Sequence, residues 1–525
     1  NGPVNEFTRT LIRRSNAHRM LGETKAALAD AQEALAITEN EPKLFSLRAE
    51  ALRAIGTNLL EQGISSEALH SLEQSIKIYQ KTNDHRNIAV LAMDIGLARM
   101  NMGDLAAAES TYTQALEQWQ STGNAVWQSN LLNNLGVLQH MRGNYESALT
   151  TLEKAIEYAH LASMPRMEAY ELVSIGDLYS DLDAYDEAGD AYSRARTLNS
   201  DLNDQNLAIY LALSEARIAQ NSGNSQRARM LIDQWNGHFS SRDVDYNQSL
   251  WKLENGYWLL QNNHSQEAIL FFNDALSIFS QGGHYSESMR SHLFLAAAYY
   301  RSGELEKAVP HLQQIDLQVK DIEKRTPIVT AARQIHQTLD SMKAEPRLHL
   351  LVNDLNKAVL QFDQKIPELR RLVRRFASAV PLSQPKMMIR SLGLVQVIVN
   401  NHILTSSDWV WQASRDLFFF LLSQPGSLSK ETVGNIFWPD CTPLGLKQRF
   451  KNTIYRLRHA AGKNVVFFED EYYRFNRTID YEYDAESFDK EIALAQQTAD
   501  KEEQISRLNA AVQLYQGIFL PDINE

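Results

Sequence analysis

Alanine stands at positions 68, 108, 148, 188, 228, 268 and 308 of this 525-residue chain. A second ladder of small residues runs through Ser75, Ala115, Ala155, Ala195 and Ala275. Glycine marks two more, at 56, 96, 136 and 176, and at 63, 103, 143, 223 and 303. The period is about 40 residues, the length of one helix–turn–helix unit, and a period of this kind commits a chain to a stacked array. Small residues at fixed offsets let paired helices approach closely. The second glycine set falls where the first helix of each pair must turn into the next, as in Gly103-Asp104 and Gly143-Asn144. The expected fold is therefore mainly α.

The unit carried by Gly96, Gly103, Ala108, Tyr112 and Ala115 resembles the tetratricopeptide repeat. It is longer than the usual unit of about 34 residues, and is similar to the long-helix variant of bacterial regulators related to the maltose-regulon activator. HEAT-type repeats share the period without this Gly/Ala ladder. Asp183 and Asn263 stand where glycine is expected, and Trp235 where a small residue is expected. The unit from Gln205 to Asp243 is thus the least regular, and a weaker unit with Gly22 and Ala27 precedes the series. The superhelical solenoid is expected over residues 4–325.

In such a solenoid the first helices line a concave surface. Aligning Gly96 with the family's glycine puts Asn130, Asn133, His140, Tyr170, Asp177, Tyr210, Arg217, Gln220, Leu253, Tyr257, Tyr300 and Arg301 there. This face either grips an unknown peptide, protein or small polar molecule or is simply solvated. Over residues 326–380 the ladder stops while apolar helical spacing persists, as expected of capping helices, and Val380 to Pro385 reads as a linker. Arg370-Arg371 and Arg374-Arg375 read as a solvated basic face, with nucleic-acid contact as the alternative.

After the linker the apolar period becomes two. Strands are expected around Met388–Leu392 and Leu394–Val399, with a hairpin turn at Asn400-Asn401. A helix is expected over Ser407–Ser423 with Trp411 inward, and a second, capped by Ser429, over Lys430–Trp438. A third follows from Pro443 to Gly462, and then a hairpin around Glu469-Asp470-Glu471. The third helix has an apolar stripe (Leu446, Phe450, Ile454, Leu457), while Lys447, Arg449, Lys451, Arg456 and Arg458 fill other positions. No acid occurs between Thr442 and Phe468, in a chain of formal net charge -12.

The order of these parts resembles the winged-helix DNA-binding domain of response regulators, and more closely that of bacterial antibiotic-regulatory activators. LGLVQVIVNNHIL resembles the opening hairpin, LSKETVGNIFWPD the second helix, LKQRFKNTIYRLRHAAG the recognition helix, and EYYRF the returning wing strand. DAESFDKEIALAQ and LNAAVQLYQGIFLPDI resemble the start of the helical bacterial transcriptional activator domain. The resemblance implies a small α+β winged helix over residues 386–480 and a terminal helical segment over 481–525. It implies a partner, double-stranded DNA. Lys447, Gln448, Lys451, Asn452 and Tyr455 are the candidates for base edges, and Arg456 and Arg458 for phosphates. Lys430 and Thr432 would add backbone contacts, and Arg474 would act from the wing. Acids at the wing tip depart from the family pattern and would be repelled by DNA, so the wing is open to polymerase, a partner subunit or another domain.

Composition narrows the remaining classes. Hydrophobic and charged fractions of 44% and 22% are those of a globular chain. Acidic balance excludes wholesale coating of nucleic acid or membrane, so any such site is local. A single cysteine, Cys441, excludes an intramolecular disulfide and fits a reducing compartment. No apolar run reaches the roughly 18 residues of a membrane span, and no signal peptide is evident. No phosphate loop, nucleophile elbow or metal-ligand spacing occurs; Gly462-Lys463 lacks the upstream glycine, and Glu502-Glu503 reads as a solvated pair. The chain begins inside helical pattern and ends where the activator domain of the resemblance would continue, so more sequence is expected on both sides; in related regulators a nucleotide-switch ATPase lies upstream. The expectation is a cytoplasmic bacterial transcriptional regulator without enzyme activity or cofactor in this segment. It would bind DNA as a dimer or higher oligomer and sense a signal through its solenoid. The alternative is a protein-interaction scaffold whose winged helix binds protein.

Overall fold

The computed structural model describes residues 2–21, 23–39, 41–239, 246–498 and 501–522. Gly22 and Asp243, and the side chains of Glu502 and Glu503, lie outside the described residues. The chain divides into two compact units. One comprises Asn1–Asp363 with Phe376–Pro381, the other Gln364–Arg375 with Leu382–Glu525.

The first unit is a succession of paired helices that follows its sequence ladder. The pairs run from Gly2–Met20 with Thr24–Glu39 to Tyr285–Arg301 with Leu305–Val319. First helices begin at Phe45, His85, Ala125, Pro165 and Gln205, which keeps the period. The glycines at 56, 96, 136 and 176 each lie against a large side chain of the paired helix. A Cβ built on Gly96 would sit 2.3 Å from the Tyr112 ring, and one on Gly176 2.4 Å from Tyr192. Gly256 belongs to the same series, with Phe272 at 2.7 Å. The turns need left-handed backbone: Gly103 has φ +76° and Gly143 +81°. Asp183 (φ 57°) and Asn263 (φ 66°) adopt the same conformation without glycine, which short polar side chains tolerate. The irregular unit is explained by its second helix, Ser225–Asp233, of 9 residues against 18 in the second helix of the unit on either side. Trp235 falls beyond that helix end and is buried edge-on to His238.

The array also closes on itself. His284 Nε2 lies 2.8 Å from the Gly63 carbonyl, and Gly282 packs against the same carbonyl so closely that a Cβ would meet its oxygen at 1.9 Å. Gly103 lies against Tyr285 and Gly143 against Thr326. Arg142 pairs with Glu323 at 2.9 Å, and Arg333 donates to the Asp181 carbonyl at 2.8 Å and to Asp183 at 2.6 Å. Phe376–Pro381 belongs to this unit too: Glu153 accepts from the Ser378 and Ala379 amides, and Tyr179 donates to the Val380 carbonyl at 2.8 Å. Val380, read as linker, is thus docked and buried.

The second unit holds two small sheets and short helices around one core. Its strands are β1 (Met387–Arg390), β2 (Gln396–Val399), β3 (His402–Ile403), β4 (Leu428–Ser429), β5 (Val466–Glu469), β6 (Tyr472–Phe475) and β7 (Tyr481–Tyr483). The first sheet has the order β3-β2-β1-β7, with β7 parallel to β1; the second has the order β4-β6-β5. The sheet therefore continues past residue 480 into the stretch read as a separate segment. Asn400 and Asn401 (φ 50° and 63°) make the expected two-residue turn. The expected 407–423 helix is broken. Ser406–Trp409 ends at Val410 (φ 62°), and Gln412–Ser423 follows. That break buries Trp409 and leaves Trp411, expected to face inward, on the surface.

The arginine run is not a free basic face. Arg374 pairs with Asp480 at 3.1 Å and Glu482 at 3.2 Å, Arg375 with Glu491 at 3.5 Å, and Arg371 lies over the Tyr481 ring at 4.5 Å. These acids lie more than a hundred residues downstream, so local sequence carried no sign of the pairing. Gln364–Arg375 accordingly belongs with the second unit rather than with the solenoid cap.

Candidate functional site

The basic helix Pro443–Ala461 starts with Thr442, whose side chain accepts from the Gly445 amide at 3.2 Å, and with Pro443 in its first turn. Both are strong helix-start chemistry. Phe450, Thr453, Ile454, Leu457 and Ala461 are buried, and Phe450 packs edge-on to Tyr473 at 4.7 Å. The helix Lys430–Phe437 crosses it closely at Gly434, where a Cβ would sit 2.4 Å from Leu446. These contacts fix which face looks outward. Leu444, Lys447, Gln448, Arg449, Lys451, Tyr455 and His459 are exposed. Lys447, Gln448, Lys451 and Tyr455 lie on one stripe, and Asn452 is half-buried at its edge.

The remaining candidates are placed differently. Arg456 stacks its guanidinium 3.2 Å from the Trp411 ring centre, and Arg458 donates to the Val466 carbonyl at 2.9 Å. Both are half-buried, and Arg458 fastens the helix to β5 instead of projecting freely toward a phosphate. Lys430 pairs with Glu431 at 3.0 Å. Thr432 sits in the first turn of its helix, where its amide donates to the Ser429 hydroxyl at 3.1 Å. Arg474 lies over Phe467 at 4.8 Å and 4.0 Å from Glu469, inside the hairpin. Sequence reasoning missed Asp484, which accepts from the Ser391 and Leu392 amides at 2.8–2.9 Å and holds the end of β1.

On the inner face of the solenoid, most of the predicted polar groove residues are already bonded to groups on neighbouring repeats, and Asp177, Tyr210 and Arg217 to one another. Asp177 accepts from Tyr192 at 2.7 Å, Tyr210 at 2.6 Å and Arg217 at 3.1 Å. Arg217 continues to Glu254 at 3.2 Å, which also takes Arg290 at 2.9 Å. His140 lies 2.9 Å from Asp181, and Asn133 accepts from Ser174 at 2.9 Å. Tyr170 donates to Asp204 at 3.1 Å; burial, with that carboxylate beside it, pushes its phenol up to about 12. Asn130 bonds its own helix at Val126. Tyr300 is half-buried, Gln220 likewise, and Arg301 donates to the Leu260 carbonyl at 2.7 Å. Tyr257 and Leu253 are corrections: both are buried in the core, Tyr257 stacked on Phe294 at 5.1 Å. The face is a polar seam between first helices rather than a row of free groups. Among the described residues no group of three metal-ligating side chains occurs, and no helix is long and apolar enough to cross a membrane.

Comparison with known proteins bears on the solenoid. The tetratricopeptide repeat family model matches residues 87–159. Outer dynein arm-docking complex subunit 4 of Xenopus laevis is 26% identical over 162 residues, covering 31% of this chain and 30% of that protein. A Rap protein complexed with competence and sporulation factor superposes with a TM-score of 0.42 at 12% identity, over 63% of this chain and 99% of the other. The human IFIT1 dimer with m7Gppp-AAAA gives 0.34 at 12% identity, over 68% and 84%. Helix pairs, the glycine ladder and the family match define the first unit as a tetratricopeptide-repeat solenoid. Stacked repeats of this kind offer an extended surface.

Proposed function

We propose that this chain is a sequence-specific DNA-binding regulator of transcription, of bacterial type. In this reading residues 386–480, with β7, form a winged helix that enters the major groove with the Pro443–Ala461 helix, and residues 481–525 open an activator domain. The solenoid takes a ligand or protein signal. The single observation that carries the reading is the outward stripe Lys447, Gln448, Lys451 and Tyr455, on a helix without an acid, anchored by a buried face. Lys pairs with guanine acceptors, and Gln448 and Asn452 suit adenine. In this reading the segment works in the cytoplasm without catalysis or cofactor.

Selection from a library of random duplexes with the full chain tests this. One enriched motif is expected, and Lys451→Ala should relax it at one base position by about 1–3 kcal/mol. Failure to enrich any sequence would remove the DNA reading. The second reading, a scaffold whose hairpin binds protein, is favoured by the acidic turn Glu469-Asp470-Glu471 beside exposed Phe468 and Tyr472.

A further inference from the structure

The β5–β6 hairpin and the Pro443–Ala461 helix present opposite surfaces. At the hairpin tip, Asp470 and Glu471 form a two-residue loop in left-handed backbone, φ 51° and 69°, with Glu469 beside them. Arg474, 4.0 Å from Glu469, is the one counter-charge within ion-pair distance of the three acids among the described residues. Phe468 (51% exposed) and Tyr472 (49%) flank the tip. On the helix, Lys447 and Lys451 have no carboxylate within ion-pair distance among the described residues, and Leu444 (80%) and Tyr455 (69%) flank them. Ile436, on the neighbouring helix, extends the apolar margin. Each surface thus combines exposed apolar area with unneutralised charge, and the signs are opposite. The hairpin acids make no ion pair with the helix of their own unit, so the match is unused within one copy. A chain of net charge -12 repels its own copies over most of its surface, and this helix is where that repulsion reverses.

We propose that, without DNA, the acidic hairpin tip of one copy docks on the basic face of the Pro443–Ala461 helix of a second copy. The contact joins two different patches head to tail. It covers the face that the DNA reading assigns to the major groove, so DNA and the second copy compete. The contact itself depends on surface charge and not on that reading. A hairpin tip buries little area, so the association is weak and sensitive to salt.

Sedimentation velocity on the full chain without DNA tests it. Association should rise with protein concentration and weaken at least about tenfold between low and high salt. K447E/K451E and E469K/E471K should each lose self-association, since each leaves two like-charged surfaces. Their equimolar mixture should associate again, because each variant then meets its complement. D470N/E471G, which gives the turn its favoured residues and removes two acids, should weaken association without disturbing the hairpin. A wild-type chain that stays monomeric at every concentration overturns the proposal. So does association indifferent to salt, retained by both reversed variants, or absent from their mixture. Because no DNA is present, failure of the duplex selection leaves this result independent.

Discussion

At the scale of single residues, two positions carry the solenoid's sharpest demands. Gly96 meets the fully buried Tyr112 ring, which has no room to retreat. Alanine there gains about 1 kcal/mol in helix propensity but overpacks the seam at a cost of about 1–3 kcal/mol. Gly96→Ala should therefore lower the midpoint of chemical denaturation. Glu171 is 1% exposed, with Ser129 donating to it at 2.6 Å. Burial pushes its carboxyl from an ordinary 4.5 up to about 8, against the pull of Ser129. A raised acid binds its proton more tightly folded than unfolded. Its contribution is whole below about pH 4.5 and is lost as pH rises toward about 8. Glu171→Gln should then exceed wild type by on the order of 1–3 kcal/mol near pH 8. The difference should shrink near pH 5, as read by denaturation at both values. The glycine was legible because it recurs at a fixed period. The glutamate was not, since one letter on a helix does not reveal which side is buried.

At the scale of elements, the Pro443–Ala461 helix was readable from its cap, its apolar stripe and its missing acids. The sequence did not show how its arginines are held. Arg458 finds the Val466 carbonyl and Arg456 the Trp411 ring through packing set by β5 and by the break at Val410. Likewise β7 is three residues long and pairs in a register 94 residues back along the chain, too short and too distant to announce itself. The β5–β6 turn carries its own prediction. Glutamate at φ 69° holds a conformation that costs an L residue about 1–2 kcal/mol and glycine almost nothing. After the added chain entropy of glycine, Glu471→Gly should raise thermal stability of this unit by a few tenths to about 1 kcal/mol. Calorimetry that found it lower would mean that the turn is held by contacts of the glutamate side chain.

At the scale of the solenoid, the seam between early turns and late helices adds something a repeat array ordinarily lacks. Gly282→Ala places a methyl group against the Gly63 carbonyl and should part that seam. Amides around residues 63 and 284 should then exchange faster with deuterium, while the far-ultraviolet dichroism keeps its helical form. An open array resembles a one-dimensional chain of neighbours, able to unravel from either end and to lengthen by whole units. A closed one has a boundary condition. Inserting or deleting one 40-residue unit between Gly63 and His284 would carry the two sides of the seam past each other by a full repeat, so the number of units becomes a fixed property of the molecule. The same closure means that loosening any one unit is felt at the seam, and the array melts as a hoop rather than as a string.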